Sequence, residues 1–191
     1  MSSSPSDPAI VELNPQRAAL PDQERLVVAI SARALFDLED SHALFENEGI
    51  EAYASYQRSR ENQPLEPGMA FPLVKKLLAL DALGRPGVPR VEIILLSRNS
   101  ADTGLRIFNS IERCELGIVR AAFTSGAPVW PYIRPFGAHL FLSANPESVR
   151  GSLDNGVAAA TLLPARATRP IDTQLRVAFD GDAVIFGDES E

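Results

Sequence analysis

Cysteine is nearly absent: Cys114 stands alone in 191 residues, so an internal disulfide and a thiolate metal cluster are both excluded. Histidine is scarce as well. His42 and His139 lie too far apart to give a metal-ligand spacing, and neither has an evident nucleophile to activate, which argues against zinc hydrolysis and Ser-His catalysis. Long apolar runs are missing. A stretch such as 91–96, interrupted by Glu92, falls far short of the ~20 residues that cross a bilayer, so no membrane partner is expected. Positive charge is in deficit, with 18 Lys+Arg against 25 Asp+Glu and a net charge of −7. The basic residues are scattered among acids rather than gathered on one face, which argues against a nucleic-acid polymer as partner. Residues 1–7 are small and polar without a basic start to an apolar stretch, so they do not read as a secretory leader, and a cytoplasmic location is expected.

What is present is the composition of a globular domain, 45% hydrophobic and 23% charged, in a chain long enough for one substantial core. Residues 1–24 carry Ser, Pro, Asp and Gln without apolar periodicity and read as a flexible leader. From residue 25 onward, short apolar runs alternate with longer amphipathic segments. That is the pattern of an α/β fold with a mostly parallel, Rossmann-like sheet flanked by helices. Six strands are expected, at 26–30, 91–96, 120–123, 139–142, 158–163 and 175–179. The segment 37–80 is too long for one crossover helix and reads as a helical, cap-like insertion after the first strand, with a break near Gly49 and a second helix after Pro72. Helices over 101–116 and 146–155 are expected to end at Gly117 and Gly156. Residues 164–170 read as a linker, so the chain divides into 1–24, 25–164 and 165–191.

The chemistry concentrates where the last apolar run meets Asp180-Gly-Asp182. In parallel α/β sheets ligands bind at the carboxyl ends of strands, the place expected for Asp180. Asp180 could attack phosphorus and form an aspartyl-phosphate, while Asp182 could protonate the leaving oxygen and then activate water. Two carboxylates repel a phosphate dianion, so such a site calls for magnesium held by Asp180 and Asp182. The competing reading is an ordinary Asp-Gly-Asp turn. A second candidate is Ser97-Arg98-Asn99 at the end of the second strand, where hydroxyl, guanidinium and backbone amides could hold phosphate; an ordinary surface role for Arg98 stands beside it. Trp130, Tyr132 and Phe136 could stack on a base, against the simpler expectation that they pack on the sheet.

The strand followed by Asp-x-Asp-x-Val resembles the first motif of haloacid dehalogenase-like (HAD-like) phosphotransferases. The wider Phe179-Asp-Gly-Asp-Ala-Val-Ile-Phe-x-Asp-Glu-Ser-Glu191 is similar to the cytosolic 5′-nucleotidase type I family. So are Ala29-Ile-Ser-Ala-Arg-Ala-Leu-Phe-Asp-Leu-Glu39, Pro64-Leu-Glu-Pro-Gly68, Leu95-Leu-Ser-Arg-Asn-Ser-Ala-Asp-Thr-Gly104 and Phe136-Gly-Ala-His-Leu-Phe-Leu-Ser-Ala-Asn-Pro146. The resemblance covers about residues 25–191 and implies magnesium-dependent hydrolysis of nucleoside 5′-monophosphates to nucleoside and phosphate. It casts Asp180 as nucleophile, Asp182 as general acid/base, and Ser97 as a phosphate-holding residue.

Sliding the chain by 149 positions pairs Leu26 with Leu175, Val28 with Val177, Ala29 with Ala178 and Ala34 with Ala183, the signature of a duplicated strand-loop unit. In the first copy Ser31 stands in the place of Asp180 and Arg33 in that of Asp182. Ser143-Ala144 occupies the position where the superfamily places magnesium-binding acids, and no lysine lies near Val129. Residues 25–164 thus read as a degenerate HAD-like domain, and 165–191 as a linker with the first strand-loop of a second unit. The sequence reads as an N-terminal portion, its site to be completed by a missing C-terminal half or a homo-oligomer. The alternative is a non-catalytic module that binds a nucleotide or a partner half; a phosphatase acting on another phosphate ester is the third reading.

Overall fold

The computed structural model describes residues 9–12, 25–39, 44, 47–83, 89–164 and 174–178; for 9–12, 83, 102 and 103 it describes the backbone only. Among the described residues six strands form one sheet: β1 (Ala9–Glu12), β2 (Leu26–Ser31), β3 (Val91–Ser97), β4 (Arg120–Phe123), β5 (Leu140–Ser143) and β6 (Ala159–Thr161). The spatial order is β1-β4-β3-β2-β5-β6, with β2 to β6 all parallel and β1 antiparallel along the outer edge of β4. The parallel α/β architecture expected from the alternating runs is therefore what forms, and an antiparallel edge strand on such a sheet is a common addition.

The central strands explain themselves. Val27 to Ile30 and Ile93 to Leu96 are apolar on both sides because both faces of the sheet are covered. Val28, Ile30, Ile93 and Leu95 join one core layer with Val74 and Leu77 of α3 (Phe71–Ala79) and Ile107 and Ile111 of α4 (Ala101–Arg113). Val27, Ala29, Ile94 and Leu96 join a second layer with Ile133 of α5 (Trp130–Ile133) and with Phe136 and Phe141. Trp130 and Tyr132 pack against this second layer, so the aromatic cluster serves the core as its simpler reading anticipated.

Between β2 and β3 the chain runs through α1 (Ala32–Leu35), α2 (Ile50–Ser59), α3 and a short 3-10 turn, Leu80–Leu83. The insertion is helical, and α3 serves as the sheet's covering layer. The break near Gly49 is real: Gly49 holds φ of 88° and α2 starts immediately after it. Gly68 is required for a different reason. The segment around it runs along the end of α1, with Gly68 N–H donating to Leu35 O and Ala70 N–H to Ala34 O at 2.9 and 2.7 Å. A Cβ on Gly68 would lie 2.7 Å from Ala34 O and 2.8 Å from the carbonyl carbon of Phe36. The helix α6 (Pro146–Asp154) is capped by Asn145, whose side chain accepts from Ser148 N–H at 2.9 Å, and closes with Gly156 at φ of 69°.

Two expectations need correction. The run at 175–179 does not form a strand over its described part. Gln174 to Ala178 has no regular secondary structure and no ladder partners among the described residues; Lys76 Nζ donates to Gln174 O at 2.9 Å and Leu175 packs against the first core layer. An apolar alternating run becomes a strand only where another strand supplies its hydrogen bonds, and none of the described residues does so here. Conversely, Ala9–Glu12 lies within the segment read as leader, yet it pairs with β4 from Ala9 opposite Phe123 to Glu12 opposite Arg120. Most of the glycine- and proline-rich loop before β3, and residues 165–173, lie outside the described residues.

Candidate functional site at the carboxyl edge of the sheet

Four neighbouring strands end in, or just before, a hydroxyl side chain. β2 ends at Ser31, β3 at Ser97, β5 at Ser143, and β4 is followed by Thr124. The register brings these together: Ser31 pairs with Leu96, one short of Ser97; Ser97 pairs with Phe123; and Ile30 pairs with Leu142, which sets Ser31 level with Ser143. Parallel strands lie about 4.8 Å apart, so these residues make a short polar rim across the middle of the sheet. The rim stands where strand order reverses around β2, the crevice that open α/β sheets use for ligands.

The rim is rigid. Ser97 is 2% exposed and Ser143 1% exposed. Each hydroxyl accepts a backbone N–H two residues on, from Asn99 at 3.2 Å and from Asn145 at 3.1 Å. Thr124 N–H donates to Ser97 O at 2.9 Å, and the Thr124 hydroxyl donates to Ala127 O at 2.6 Å. The β3 and β4 loops are laced together where Ser125 N–H reaches Asn99 O at 3.1 Å and Gly126 N–H reaches Arg98 O at 2.6 Å. Arg98 is exposed, and its Nε donates to Gly126 O at 3.2 Å. The two sequence candidates Ser97 and Arg98 are chain neighbours, Ser97 buried in the rim and Arg98 exposed on the loop that follows β3. Arg33 is engaged elsewhere, 3.1 Å from Glu39 in an exposed pair.

Asp180 and Asp182 lie outside the described residues. Among the described residues no group of three or more His, Cys, Asp or Glu side chains could hold a metal ion. The rim does not fit magnesium either: Ser31, Ser97 and Ser143 supply neutral hydroxyls, whereas that ion is held by carboxylates in oxygen-rich sites. His139 has a structural task, its Nδ1 accepting from Val27 N–H at 3.0 Å. Sequence reasoning had valued Ser31 and Ser143 only for the acids they replace. The signal that could have found them was a single hydroxyl residue closing each apolar run.

Fold and register together define a Rossmann-like α/β protein with a rim of hydroxyl residues at the carboxyl ends of its parallel strands. A family model described as 5′-nucleotidase matches residues 18–191. The human protein Cytosolic 5'-nucleotidase 1B is 39% identical over 171 residues, covering 87% of this chain and 28% of the human protein, so the chain spans little more than a quarter of that relative's length. No solved structure matches the chain. The chain belongs to the 5′-nucleotidase family. No helix among the described residues is long and apolar enough to cross a membrane.

Proposed function

We propose that this chain is the N-terminal portion of a cytoplasmic, magnesium-dependent 5′-nucleotidase that hydrolyses nucleoside 5′-monophosphates such as AMP to nucleoside and phosphate. The observation that supports this most directly is the family match, which runs unbroken across residues 18–191 and so takes in Asp180-Gly181-Asp182. In this reading Asp180 attacks phosphorus, the bond to the 5′-oxygen breaks, and Asp182 gives that oxygen its proton. Asp182 then takes a proton from water, which attacks the aspartyl-phosphate and releases phosphate. Magnesium held by Asp180 and Asp182 supplies charge neutralisation. Residues 165–191 are read as a linker with the first strand-loop of a second, truncated unit, and residues 25–164, with β1 added at the edge of the sheet, as the degenerate first domain. Completion of the site falls to a C-terminal half or to a second copy.

Magnesium-dependent phosphate release from a panel of nucleoside monophosphates tests this reading. Asp180→Asn is expected to abolish release, and unchanged turnover in that variant removes Asp180 from the mechanism. The rim favours a second role for the first sheet: with Ser31, Ser97 and Ser143 at its strand ends, it has the character of a binding unit. Ser97 and Arg98 would then hold phosphate away from the reacting atoms.

A further inference from the structure

Lys75 and Lys76 are neighbours on α3 with different tasks. Lys75 is exposed, and its Nζ lies 5.9 Å from the centroid of the Phe71 ring one turn back. Lys76 is half-buried and reaches across 98 positions of sequence to donate from Nζ to Gln174 O at 2.9 Å. Its helix is fixed from beneath, with Val74 and Leu77 buried in the first core layer. Next to the bonded carbonyl, Leu175 is half-buried against the same layer. The Gln174 side chain is engaged as well, its Oε1 accepting from Arg176 Nη2 at 2.8 Å. A polar hold and an apolar hold thus fall on consecutive residues. Beyond them Arg176, Val177 and Ala178 are exposed, Val177 at 65%.

A bond to the main-chain carbonyl at 174 does not depend on which side chain stands there. It depends on reach, which the four-carbon stem of lysine supplies while covering apolar surface on the way. One such contact is weak alone. Joined to the burial of Leu175, it selects a single placement of the chain on α3. Asp180 follows two residues past Ala178 in the sequence. A displacement of about 1 Å can cost a reacting group roughly 100-fold in rate, so whatever fixes the approach to Asp180 bears on the reaction. Over 174–178 no ladder partner among the described residues fixes it.

We propose that α3 is the surface on which the first domain docks the segment leading into Asp180, with Lys76 and Leu175 as positioning residues for the reaction. The inference rests on the role given to Asp180 above and adds to it a duty for the degenerate first domain: its core sets where the second unit begins.

Two readouts test it. In the chain carrying Cys114→Ser and Val177→Cys, a nitroxide attached at 177 reports docking without any turnover. A restrained spectrum is expected, unchanged by Lys75→Gln or Lys76→Arg and shifted toward that of a free peptide by Lys76→Met or Leu175→Ser, with melting curves verifying that each variant is folded. Phosphate release is then followed in the longer protein that carries the remaining half of the site. Lys76→Met is expected to lower kcat about tenfold with KM unchanged, and Lys76→Arg to restore it. A free-peptide spectrum in the labelled parent, or one indifferent to both Lys76→Met and Leu175→Ser, would overturn the docking. A restrained spectrum with kcat unaltered by Lys76→Met would overturn the positioning role. Turnover that survives Asp180→Asn would remove the reaction reading and the positioning role together, and the spectrum distinguishes that result from failed docking.

Discussion

Glu92 offers the sharpest test of how the sheet is held at the edge opposite the rim. Its carboxylate meets Arg120 through a two-toothed contact, Nε to Oε1 at 2.6 Å and Nη2 to Oε2 at 2.9 Å, and meets Arg25 Nη2 at 2.8 Å. The side chains of Arg25, Glu92 and Arg120 are 9, 13 and 22% exposed. One carboxylate therefore ties the entrance of β2 to β3 and β4, three strands adjacent in the sheet. Glu92→Gln preserves shape but leaves two guanidinium groups close together, with an amide N–H₂ turned toward one of them. Breaking a buried pair by removing one charge costs roughly 3–5 kcal/mol, whereas an exposed pair is worth about 0–1 kcal/mol. Side chains this little exposed lie nearer the first limit, and the residual acceptor on Gln reduces the loss to about 2–3 kcal/mol. For a chain of this size that lowers Tm by roughly 4–12 °C. Urea unfolding followed by the fluorescence of Trp130 measures it, since that side chain packs on the second core layer. The m-value is expected to stay constant. A loss below about 0.5 kcal/mol would refute the claim that this cluster clamps the strands. A cycle with Arg120→Met showing full additivity would do the same.

Other variants probe separate links in the same argument. Gly68→Ala drives a Cβ into the backbone of α1 and is expected to cost about 2–3 kcal/mol in chemical denaturation. Gly49→Ala has open space around it and should show only the cost of its positive φ, about 1 kcal/mol. Ser110 is fully buried, accepts from Leu65 N–H at 2.9 Å and donates to Arg106 O at 2.8 Å. Ser110→Ala strands that buried N–H and should destabilise by about 1–3 kcal/mol in the same measurement, while Ser110→Thr should recover part of it.

Five of the six expected strands formed within a residue or two of their apolar runs, and the helices after Gly49, at Pro72, before Gly117 and before Gly156 are all present. These elements are written in short-range chemistry: apolar runs too short for helices, proline at a first turn, glycine at a left-handed end. The failures came where a partner decides. The run from Leu175 looks as strand-like as that from Leu26, yet over 175–178 it lacks a ladder and lies on α3 through Lys76 and Leu175. Ala9–Glu12, only four residues in a segment without apolar periodicity, becomes a strand because the outer edge of β4 accepts it.

By itself, then, the sequence determined the class of fold and the family, because periodicity, turn residues and motifs are properties of neighbours along the chain. Only the tertiary structure decided that Ser31, Ser97 and Ser143 share one rim and that Ser31 Oγ is enclosed there without a hydrogen-bond partner among the described residues. Those facts depend on register between strands separated by as many as 112 residues and on which polar atoms the packing encloses. Hydrogen-bond satisfaction is a property of the assembled volume, and no spacing along the chain records it.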